Sequence, residues 1–447
     1  MTPESDRLGA RNRVTGRNGH LPARSVGGNR QGEYRLRIAD GELADRLASA
    51  GAVVIEGPRA SGKTWTARQI ARSEVLLDVD EEARRLARLE PGELLVGRTP
   101  RLIDEWQLEP HLWNHVRHAV DDRQARGQFI LTGSAVPPDD ITRHSGAGRF
   151  SRLRLRPMSL YELGRATGAV SLRALIGGEP VPSAEARLNA RELAGVVCVG
   201  GWPGHLPASA GQAQRANRDY LAEVCRVDVE RANGVRHNPE RVYRLMQSLA
   251  RNVATYATVS TVAADVGGSE GPLMDHTARR YLTALERLML VENQPPWAPH
   301  LRSRSRLRVS PKRHFVDPSL ATAALRADPG YLLKDVTWFG FLFESMVVRD
   351  LRIYAQAIDA GVYQYRDNTG LEVDAIVDAG PGRWAAFEVK LGTGRIDDGA
   401  RSLLRFAERV DTSRCGKPAV LGVVVHDGYA YTRPDGVAVI PVGALGP

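Results

Sequence analysis

Three carboxylates and a lysine alternate with apolar residues in the segment from residue 371 to 390. Glu372 and Asp374 are two residues apart, and Glu388 and Lys390 repeat that spacing after a Gly-Pro turn. Because side chains alternate across a β-strand, each pair would lie on one face of its strand. Carboxylates hold Mg²⁺ and a lysine can position an attacking water, so the segment fits a metal-dependent phosphodiesterase site. An ordinary solvent-facing surface is the alternative.

A glycine-rich loop at residues 57–64 reads GPRASGKT and fits the pattern G-x-x-x-x-G-K-[ST]. Gly57 and Gly62 would let backbone N–H groups approach phosphates without a Cβ in the way. Lys63 would contact the β- and γ-phosphates, and the Thr64 hydroxyl would bind Mg²⁺. A strand before the loop and a helix after it supply the required context, so we predict ATP and Mg²⁺ as cofactors. The predicted nucleotide-binding residues are Gly57, Pro58, Arg59, Ala60, Ser61, Gly62, Lys63, Thr64 and Asp104.

Two acidic residues end a second apolar strand in the segment RLIDEWQ. Asp104 would complete the Mg²⁺ shell with Thr64, and Glu105 would polarise the attacking water. Strand ends often carry solvated acids, so this pair alone is weak evidence. The alternative for the glycine loop is a Gly-rich turn beside a surface lysine, and it would leave the acidic pair unexplained. Thr132 and Ser134 end a third strand, where a residue that senses the γ-phosphate would lie.

Arginines in the segment GAGRFSRLRLRP (146–157) suggest a contact between subunits. Arg149, which we predict to be catalytic, and Arg152 could reach the nucleotide of a neighbouring subunit as arginine fingers. A basic strand edge is an equally good interpretation. A finger that acts on a neighbour requires at least a dimer, so a homo-oligomer is predicted.

Six basic residues and no acidic ones lie between residues 299 and 313. Four of them alternate, so a strand would place them on one face; this arginine stripe consists of Arg302, Arg304, Arg306 and Arg308. A one-sided stripe suits contacts with the phosphates of DNA. Arg279 and Arg280 lie on the helix that would enter a groove. A charged edge strand that blocks aggregation is the alternative, but it needs fewer charges.

The composition is that of a soluble globular protein with a basic balance. The chain has 447 residues, of which 43% are hydrophobic and 25% charged, with a net charge of +9. No apolar run approaches the roughly 18 residues that span a bilayer, and no secretion signal is recognisable. Cys198, Cys225 and Cys415 form no C-x-x-C pair, which fits a cytoplasmic protein without a zinc or disulfide framework. The charge favours a polyanionic partner, although a general arginine bias would produce the same balance.

These candidate residues require an α/β multidomain protein to position them. Short apolar strands at 52–56, 74–80, 101–104 and 128–133 alternate with helical or loop segments, which predicts a parallel sheet. Three amphipathic helices and a hairpin then follow the winged-helix pattern. The predicted regions are a disordered basic tail (1–33), a nucleotide-binding core (34–155), a helical lid or connector (156–237), a winged-helix-like region (238–318) and a C-terminal α/β domain (319–447).

The order of several motifs resembles that of a large group of bacterial and archaeal P-loop ATPases. The motifs are GPRASGKT, LIDEWQ, LTGS, GRF followed by LRPMSLYEL, GGWP, PKRHFVDPSL, FLFESMVVRDL, YRDNTGLEVDAIV and FEVK. The resemblance covers nearly the whole chain after the N-terminal tail. It implies an AAA-type ATPase core, a winged-helix region, and a C-terminal domain of unknown function similar to restriction-endonuclease-like (PD-(D/E)xK) folds. That family often has a glycine where this chain has Ala60, which is small enough to keep nucleotide binding.

The resemblance also implies a set of residues for a nuclease-like site. Restriction-endonuclease-like folds carry an acid on a helix, an acid on a strand and an E-x-K pair on the next strand. The chain offers Glu344, Asp374, Glu388 and Lys390 in that order, with Asp374 and Glu388 as predicted metal ligands and Glu372 as an accessory. A solvent-facing ion pair, a fold that has lost its activity and a protein-binding domain remain alternatives.

Two functions are consistent with these patterns. The first is a Mg²⁺-dependent AAA-type ATPase that binds DNA through the winged-helix region and the basic tail, with a possible metal-dependent nuclease domain. The second is a nucleotide-gated scaffold whose C-terminal domain is catalytically inactive and recruits a partner.

Overall fold

The computed structural model describes residues 34–134, 145–206, 208–234, 237–267, 271–298 and 310–447. The predicted basic tail and all four residues of the arginine stripe lie outside these described residues. Across the described ranges, no helix has the length and apolar character needed to cross a membrane.

The N-terminal domain is built on a five-stranded parallel sheet in the order β2-β3-β4-β1-β5. Its strands are β1 Ala52–Glu56, β2 Ser73–Leu76, β3 Arg101–Asp104, β4 Phe129–Gly133 and β5 Phe150–Arg154. Its helices are α1 Ile38–Ser49, α2 Lys63–Arg68, α3 Glu81–Leu89, α4 Pro91–Leu94 and α5 Leu112–Arg123. Alternate residues of β1 pack into two different cores, Val54 on one face and Val53 and Ile55 on the other. The predicted parallel sheet is confirmed.

One predicted helix of this domain is much shorter than the sequence suggested. The segment TWTARQIARSE (64–74) predicts a helix, but α2 ends at Arg68. Ser73 already begins β2 and pairs with Arg101 of β3, so these residues belong to the sheet. The strand pairing overrides the local helical pattern here.

The predicted helical connector contains helices and two short strands. These elements are β6 Val170–Ser171, α6 Leu172–Ile176, β7 Ala184–Ala186, α7 Ala190–Val199, α8 Ala210–Glu223 and α9 Val229–Asn233. A π-helical turn, Val224–Asp228, joins α8 to α9. The two strands, which were not predicted, pair with strands near the end of the chain.

Three helices and a two-stranded antiparallel sheet follow, in the order that predicted a winged-helix region. They are α10 Pro239–Arg251, α11 Val259–Asp265, α12 Asp275–Arg287, β8 Val291–Gln294 and β9 Lys312–Phe315. Two further helices, α13 Pro318–Ala324 and α14 Pro329–Lys334, pack against α7, α8 and α10. The two helices that follow β9 are therefore packed with the helical region.

The C-terminal region holds a mixed seven-stranded sheet in the order β10-β11-β12-β13-β15-β14-β7. Its helices are α15 Val336–Gln356, α16 Ile396–Arg409 and α17 Thr412–Cys415. Its strands are β10 Gly361–Arg366, β11 Glu372–Asp378, β12 Trp384–Lys390, β13 Val420–Val425, β14 Gly428–Thr432 and β15 Ala438–Pro441, and β16 Leu445–Gly446 pairs with β6. Alternating residues of β11 separate two cores: Ala375 and Val377 share one with α15, and Ile376 shares the other with α16.

A buried ionic network joins the helical connector to α15. Arg349 donates from Nη1 to Asp317 Oδ2 at 2.7 Å and from Nε to Asp350 Oδ1 at 2.8 Å. The same two carboxylates accept backbone N–H groups from Gly201 at 2.9 Å and Leu160 at 3.0 Å. Burial raises the pKa of Asp350 to about 6 although Arg349 opposes the change. These hydrogen bonds fix the connector against the C-terminal region.

A second buried carboxylate, Glu292 of β8, receives three arginines. Arg154, at the end of β5, lies 3.1 Å from it, Arg156 3.0 Å, and Arg352 of α15 2.8 Å. Burial alone would raise the pKa of Glu292, but the three guanidinium groups reverse that effect and hold the pKa well below its usual range. The parallel sheet, the β8–β9 hairpin and α15 therefore meet at one charged junction.

Candidate nucleotide site and C-terminal carboxylate cluster

The glycine loop runs from the end of β1 to the start of α2. A side chain is disfavoured at its two glycines for different structural reasons. Gly62 begins the helix at a φ of +99°, a conformation that side chains disfavour. A Cβ on Gly57 would lie 2.1 Å from the carbonyl oxygen of Leu155, which follows β5. Ala60 also has a positive φ, at +62°, which costs an L residue about 1–2 kcal/mol. The position where the related family often has glycine is therefore a strained one here.

Lys63 is held by the loop that it follows. Its ammonium donates hydrogen bonds to the carbonyl oxygens of Gly57 at 3.0 Å and Pro58 at 2.9 Å. Burial lowers the pKa of Lys63 to about 8, while the nearby carboxylates of Glu105 and Asp104 act in the opposite direction. A phosphate oxygen would compete with two neutral carbonyls for this ammonium, and its negative charge favours it.

The predicted Mg²⁺ ligands lie next to one another. Thr64 donates its hydroxyl to Asp104 Oδ1 at 2.9 Å, and Thr132 of β4 donates to the same oxygen. Burial raises the pKa of Asp104, although the two hydroxyl groups counteract it. Hydroxyl and carboxylate oxygens are the hard donors that Mg²⁺ prefers. The residues present therefore fit a Mg²⁺ ion bound beside a nucleotide.

Glu105 is oriented by residues from two elements. Its backbone has a φ of +53°, and its Oε2 accepts hydrogen bonds from Gln107 and, at 3.1 Å, from the Ser134 hydroxyl. Thr132 and Ser134, predicted at the end of the third strand, thus contact the two acids of the second. Strained backbone at an acidic residue is typical of functional sites.

A cleft of about 1280 Å³ opens in front of the glycine loop. The parallel-sheet domain lines one side, and the helical connector lines the other with Pro203, Leu206 and Arg231. Arg59 of the loop bridges the two sides, with its Nη1 3.1 Å from Oδ1 of the buried Asp228. Asp228 belongs to the π-helical turn, a feature that often marks functional sites. The connector therefore forms the side of the cleft opposite the parallel-sheet domain, and its role as a lid stays a prediction.

The predicted arginine finger lies at the opposite end of the strands from the glycine loop. Arg149 immediately precedes β5, and its carbonyl accepts from Ala52 at the start of β1 at 3.1 Å. Its guanidinium pairs with Asp121 of α5 at 2.8 Å. Arg152 pairs with Glu56 and lies 5.4 Å from the ring of Trp113. Both arginines are therefore engaged within their own subunit.

The structure brings the four predicted residues of the C-terminal site together. Glu344 comes from α15, Asp374 from β11, and Glu388 and Lys390 from β12. Lys390 contacts Glu388 and lies 3.7 Å from Asp374 Oδ2. Asp374 Oδ2 also accepts from the backbone N–H of Val389 at 3.0 Å. The predicted accessory Glu372 forms a half-exposed ion pair with Arg366 at 3.1 Å.

A second lysine, which we did not assign to this site, lies between the acids. Lys312 of β9 donates to Glu344 Oε1 at 2.7 Å and to Asp374 Oδ1 at 3.1 Å. The pKa of Glu388 and the pKa of Glu344 are each raised to about 8. Burial is the larger cause for both groups, and the negative charge of Asp374 is the next. Burial acts likewise on Asp374, but the two lysines outweigh it and lower its pKa. These five residues form the carboxylate cluster.

The carboxylate cluster does not fit the resident metal ion that the family resemblance implies. In the described parts of the chain, no three His, Cys, Asp or Glu side chains are grouped as metal ligands. The ammonium of Lys312 stands between Glu344 and Asp374, where a cation shared by these acids would have to be. The predicted metal pair, Asp374 and Glu388, therefore remains a prediction that the geometry does not favour.

The sequence contained only a weak signal for Lys312. It lies two residues before His314, and both side chains are buried on the same side of β9, whereas Arg313 points to Ala257. Lys312 belongs to the same basic segment as the arginine stripe and Arg313, a pattern that indicates a phosphate-binding surface. Asp228 belongs to none of the motifs, and Gln107 ends the segment RLIDEWQ without a spacing that indicates a role.

Comparison with known proteins divides the chain into three parts. An AAA domain model matches residues 49–164, a domain of unknown function (DUF8612) matches residues 190–330, and another (DUF4143) matches residues 339–445. Uncharacterized proteins of Mycobacterium bovis and Mycobacterium tuberculosis are each 28% identical over 417 residues, which is 92% of this chain and 84% of theirs.

A Walker-type ATPase of Pyrococcus abyssi is a similar solved structure at 15% identity and a TM-score of 0.40, covering 66% of this chain and 95% of that one. The AAA match coincides with the sheet, the glycine loop and the acids described above. Residues 49–164 are thus an AAA-type P-loop ATPase domain, followed by two regions whose family models carry no function.

Proposed function

We propose that this protein is a Mg²⁺-dependent ATPase whose nucleotide state is transmitted to a DNA-binding region. The observation that carries the ATPase assignment is the meeting of Lys63, Thr64, Asp104 and Glu105 at the ends of β1 and β3. Bound Mg²⁺ would neutralise the charge that develops on the β- and γ-phosphate oxygens. ADP and ATP would be exchanged through the cleft.

The residues of the site divide the work of hydrolysis. Lys63 donates to the transferred phosphoryl group, and the loop's N–H groups bind the remaining phosphates. Glu105 accepts a hydrogen bond from the attacking water, and Gln107 and Ser134 keep its carboxylate aligned. Arg59 links the loop to Asp228, so that a change in the loop reaches the helical connector.

Replacing Glu105 by glutamine tests the hydrolytic role. Glu105→Gln should lower kcat about a hundredfold, because the amide cannot polarise the water, while ATP affinity stays within about twofold. Steady-state hydrolysis and equilibrium binding of a fluorescent ATP analogue measure the two quantities. Glu81→Gln, at a side chain that is 92% exposed, is the matched control and should change neither. An unchanged kcat in Glu105→Gln would remove this residue from the mechanism.

DNA binding is proposed for the three helices α10–α12 and the β8–β9 hairpin. Arg279 and Arg280 are both exposed on α12. The arginine stripe lies in the connection between β8 and β9, which is the wing of a winged helix. Arginines at these two places would contact phosphates on the same face of a duplex.

The salt dependence of DNA binding tests this proposal. Replacing all four residues of the arginine stripe by alanine should reduce the log–log salt slope by about 3 to 4, at about 0.9 per phosphate contact. Fluorescence anisotropy with a labelled duplex at several salt concentrations measures the slope. Arg187→Ala with Arg226→Ala removes two side chains that are 79% and 71% exposed elsewhere, and should leave the slope unchanged. An identical slope in the stripe variant would exclude the wing from binding.

For the C-terminal domain, the observation of Lys312 between the acids favours the scaffold function over a nuclease. We propose that this domain recruits a partner and that nucleotide binding controls it. A nuclease assay with Mg²⁺ or Mn²⁺ separates the two functions, with Asp374→Ala and Glu388→Ala as controls. Cleavage that both substitutions abolish would restore the nuclease assignment. The homo-oligomer remains a prediction, because the guanidinium of Arg149 is engaged by Asp121 within the same chain. The cytoplasmic location also remains a prediction.

A further inference from the structure

Lys312 reaches the carboxylate cluster from outside the C-terminal sheet. It is the first residue of β9, which pairs with β8 in a separate two-stranded sheet. Its side chain is only 3% exposed, and its ammonium lies 5.4 Å from the centre of the Tyr256 ring. A lysine is rarely buried so deeply unless the surrounding groups require its charge.

The charges of the cluster are already nearly balanced by its own lysines. Glu344, Asp374 and Glu388 can contribute three negative charges, and Lys312 and Lys390 contribute two positive ones. A divalent cation added to this set would give an excess of positive charge in a buried site. It would also have to displace the hydrogen bonds of Lys312 at 2.7 and 3.1 Å. Such a cation would therefore be excluded on both charge and space.

We propose that the ammonium of Lys312 takes the place of a metal ion in the carboxylate cluster. Lys312 thereby prevents divalent cations from binding there and holds the β8–β9 hairpin against the C-terminal sheet. The nuclease-like site is thus converted into a structural joint between two regions. The proposal does not depend on ATP hydrolysis, because no residue of the nucleotide site takes part.

Removing the ammonium should turn the joint into a cation site. The position of Lys312 Nζ lies 2.7 Å from Oε1 of Glu344 and 3.1 Å from Oδ1 of Asp374. Ca²⁺ binds carboxylate oxygens at about 2.3–2.6 Å, so a small inward shift of these two side chains would complete the contact. Glu388 is held nearby by Lys390 and by the hydroxyl of Ser402 at 3.3 Å.

The test uses the full chain without nucleotide and compares the wild type with Lys312→Ala. In the wild type, Ca²⁺ should leave the Tm unchanged. In Lys312→Ala the Tm should be lower without Ca²⁺ and should rise by about 5 °C when Ca²⁺ saturates the site. Tb³⁺, excited through the adjacent Tyr256, should give saturable luminescence in the variant with a Kd at least about tenfold below that of the wild type.

Two further variants make the result specific. Lys312→Arg keeps the positive charge and should show no response to Ca²⁺. Lys312→Ala combined with Asp374→Asn should lose the Ca²⁺ and Tb³⁺ responses, which excludes binding elsewhere. A folded Lys312→Ala protein without any response to either ion would overturn the proposal.

The wild type gives a test that does not need a stable Lys312 variant. Saturable Tb³⁺ luminescence in the wild type that Asp374→Asn abolishes would mean that a metal displaces Lys312, and the proposal would be wrong. Equal luminescence in the wild type and in Asp374→Asn supports it.

Discussion

Lys63→Ala is expected to lower kcat/KM for ATP hydrolysis by about a thousandfold. The ammonium of Lys63 is buried, and its hydrogen bonds to the carbonyl oxygens of Gly57 and Pro58 hold it across the glycine loop. The alanine variant lacks the positive charge that stabilises both the bound nucleotide and the transition state, so ATP affinity and turnover fall together. The loss should therefore exceed that of Glu105→Gln, which retains binding.

Steady-state phosphate release and equilibrium binding of ATP measure the two effects in Lys63→Ala. Lys334→Ala is the matched control, because Lys334 is an exposed lysine at the end of α14. It should hydrolyse ATP at the rate of the wild type. Hydrolysis that persists in Lys63→Ala at the wild-type rate would show that the nucleotide site lies elsewhere.

Arg349→Ala is expected to lower the free energy of unfolding by about 3–5 kcal/mol. The substitution leaves Asp317 and Asp350, whose side chains are at most 1% exposed, without their shared cation. Asp317 would keep only its backbone donors, Gly201 and Ser319, and Asp350 would keep only the backbone N–H of Leu160. Because an unpaired buried charge is costly, the joint between the connector and α15 should open first.

Urea denaturation followed by tryptophan fluorescence measures the loss. Arg226→Ala is the control: its pair with Glu223 is 71% and 48% exposed, and its removal should cost less than about 1 kcal/mol. Equal stabilities of the two variants would contradict the assigned role of Arg349.

Much of the nucleotide site could be predicted because its signals are local. The segments AVVIE and RLID coincide with β1 and β3, since apolar runs that are buried on both faces read directly as parallel strands. The loop and the acids follow those strands within the same short segments, so strand order alone brings Lys63, Thr64 and Asp104 together. Parallel strands place their carboxyl ends on one edge of the sheet.

The C-terminal site was predicted only in part, because only some of its contacts follow from signals that are local in the sequence. Two-residue spacing placed Glu388 and Lys390 on one face of β12, and they are in contact. The spacing also placed Glu372 beside Asp374, but Glu372 instead pairs with Arg366 across β10 and β11. Strand periodicity tells which way a side chain points, and says nothing about the charges it will meet there.

By itself, the sequence determined the parallel sheet and the glycine loop with its acids, because these depend on residues close together in the chain. The spacing of Glu388 and Lys390 is also local, but Glu344 was added to the carboxylate cluster only by the family resemblance. The tertiary structure decided that Lys312 enters the cluster, that Arg59 meets Asp228, and that Arg149 pairs with Asp121. These pairings join elements distant in sequence. The buried charges, Lys312 and Asp228, take the partners that the packing of the elements supplies.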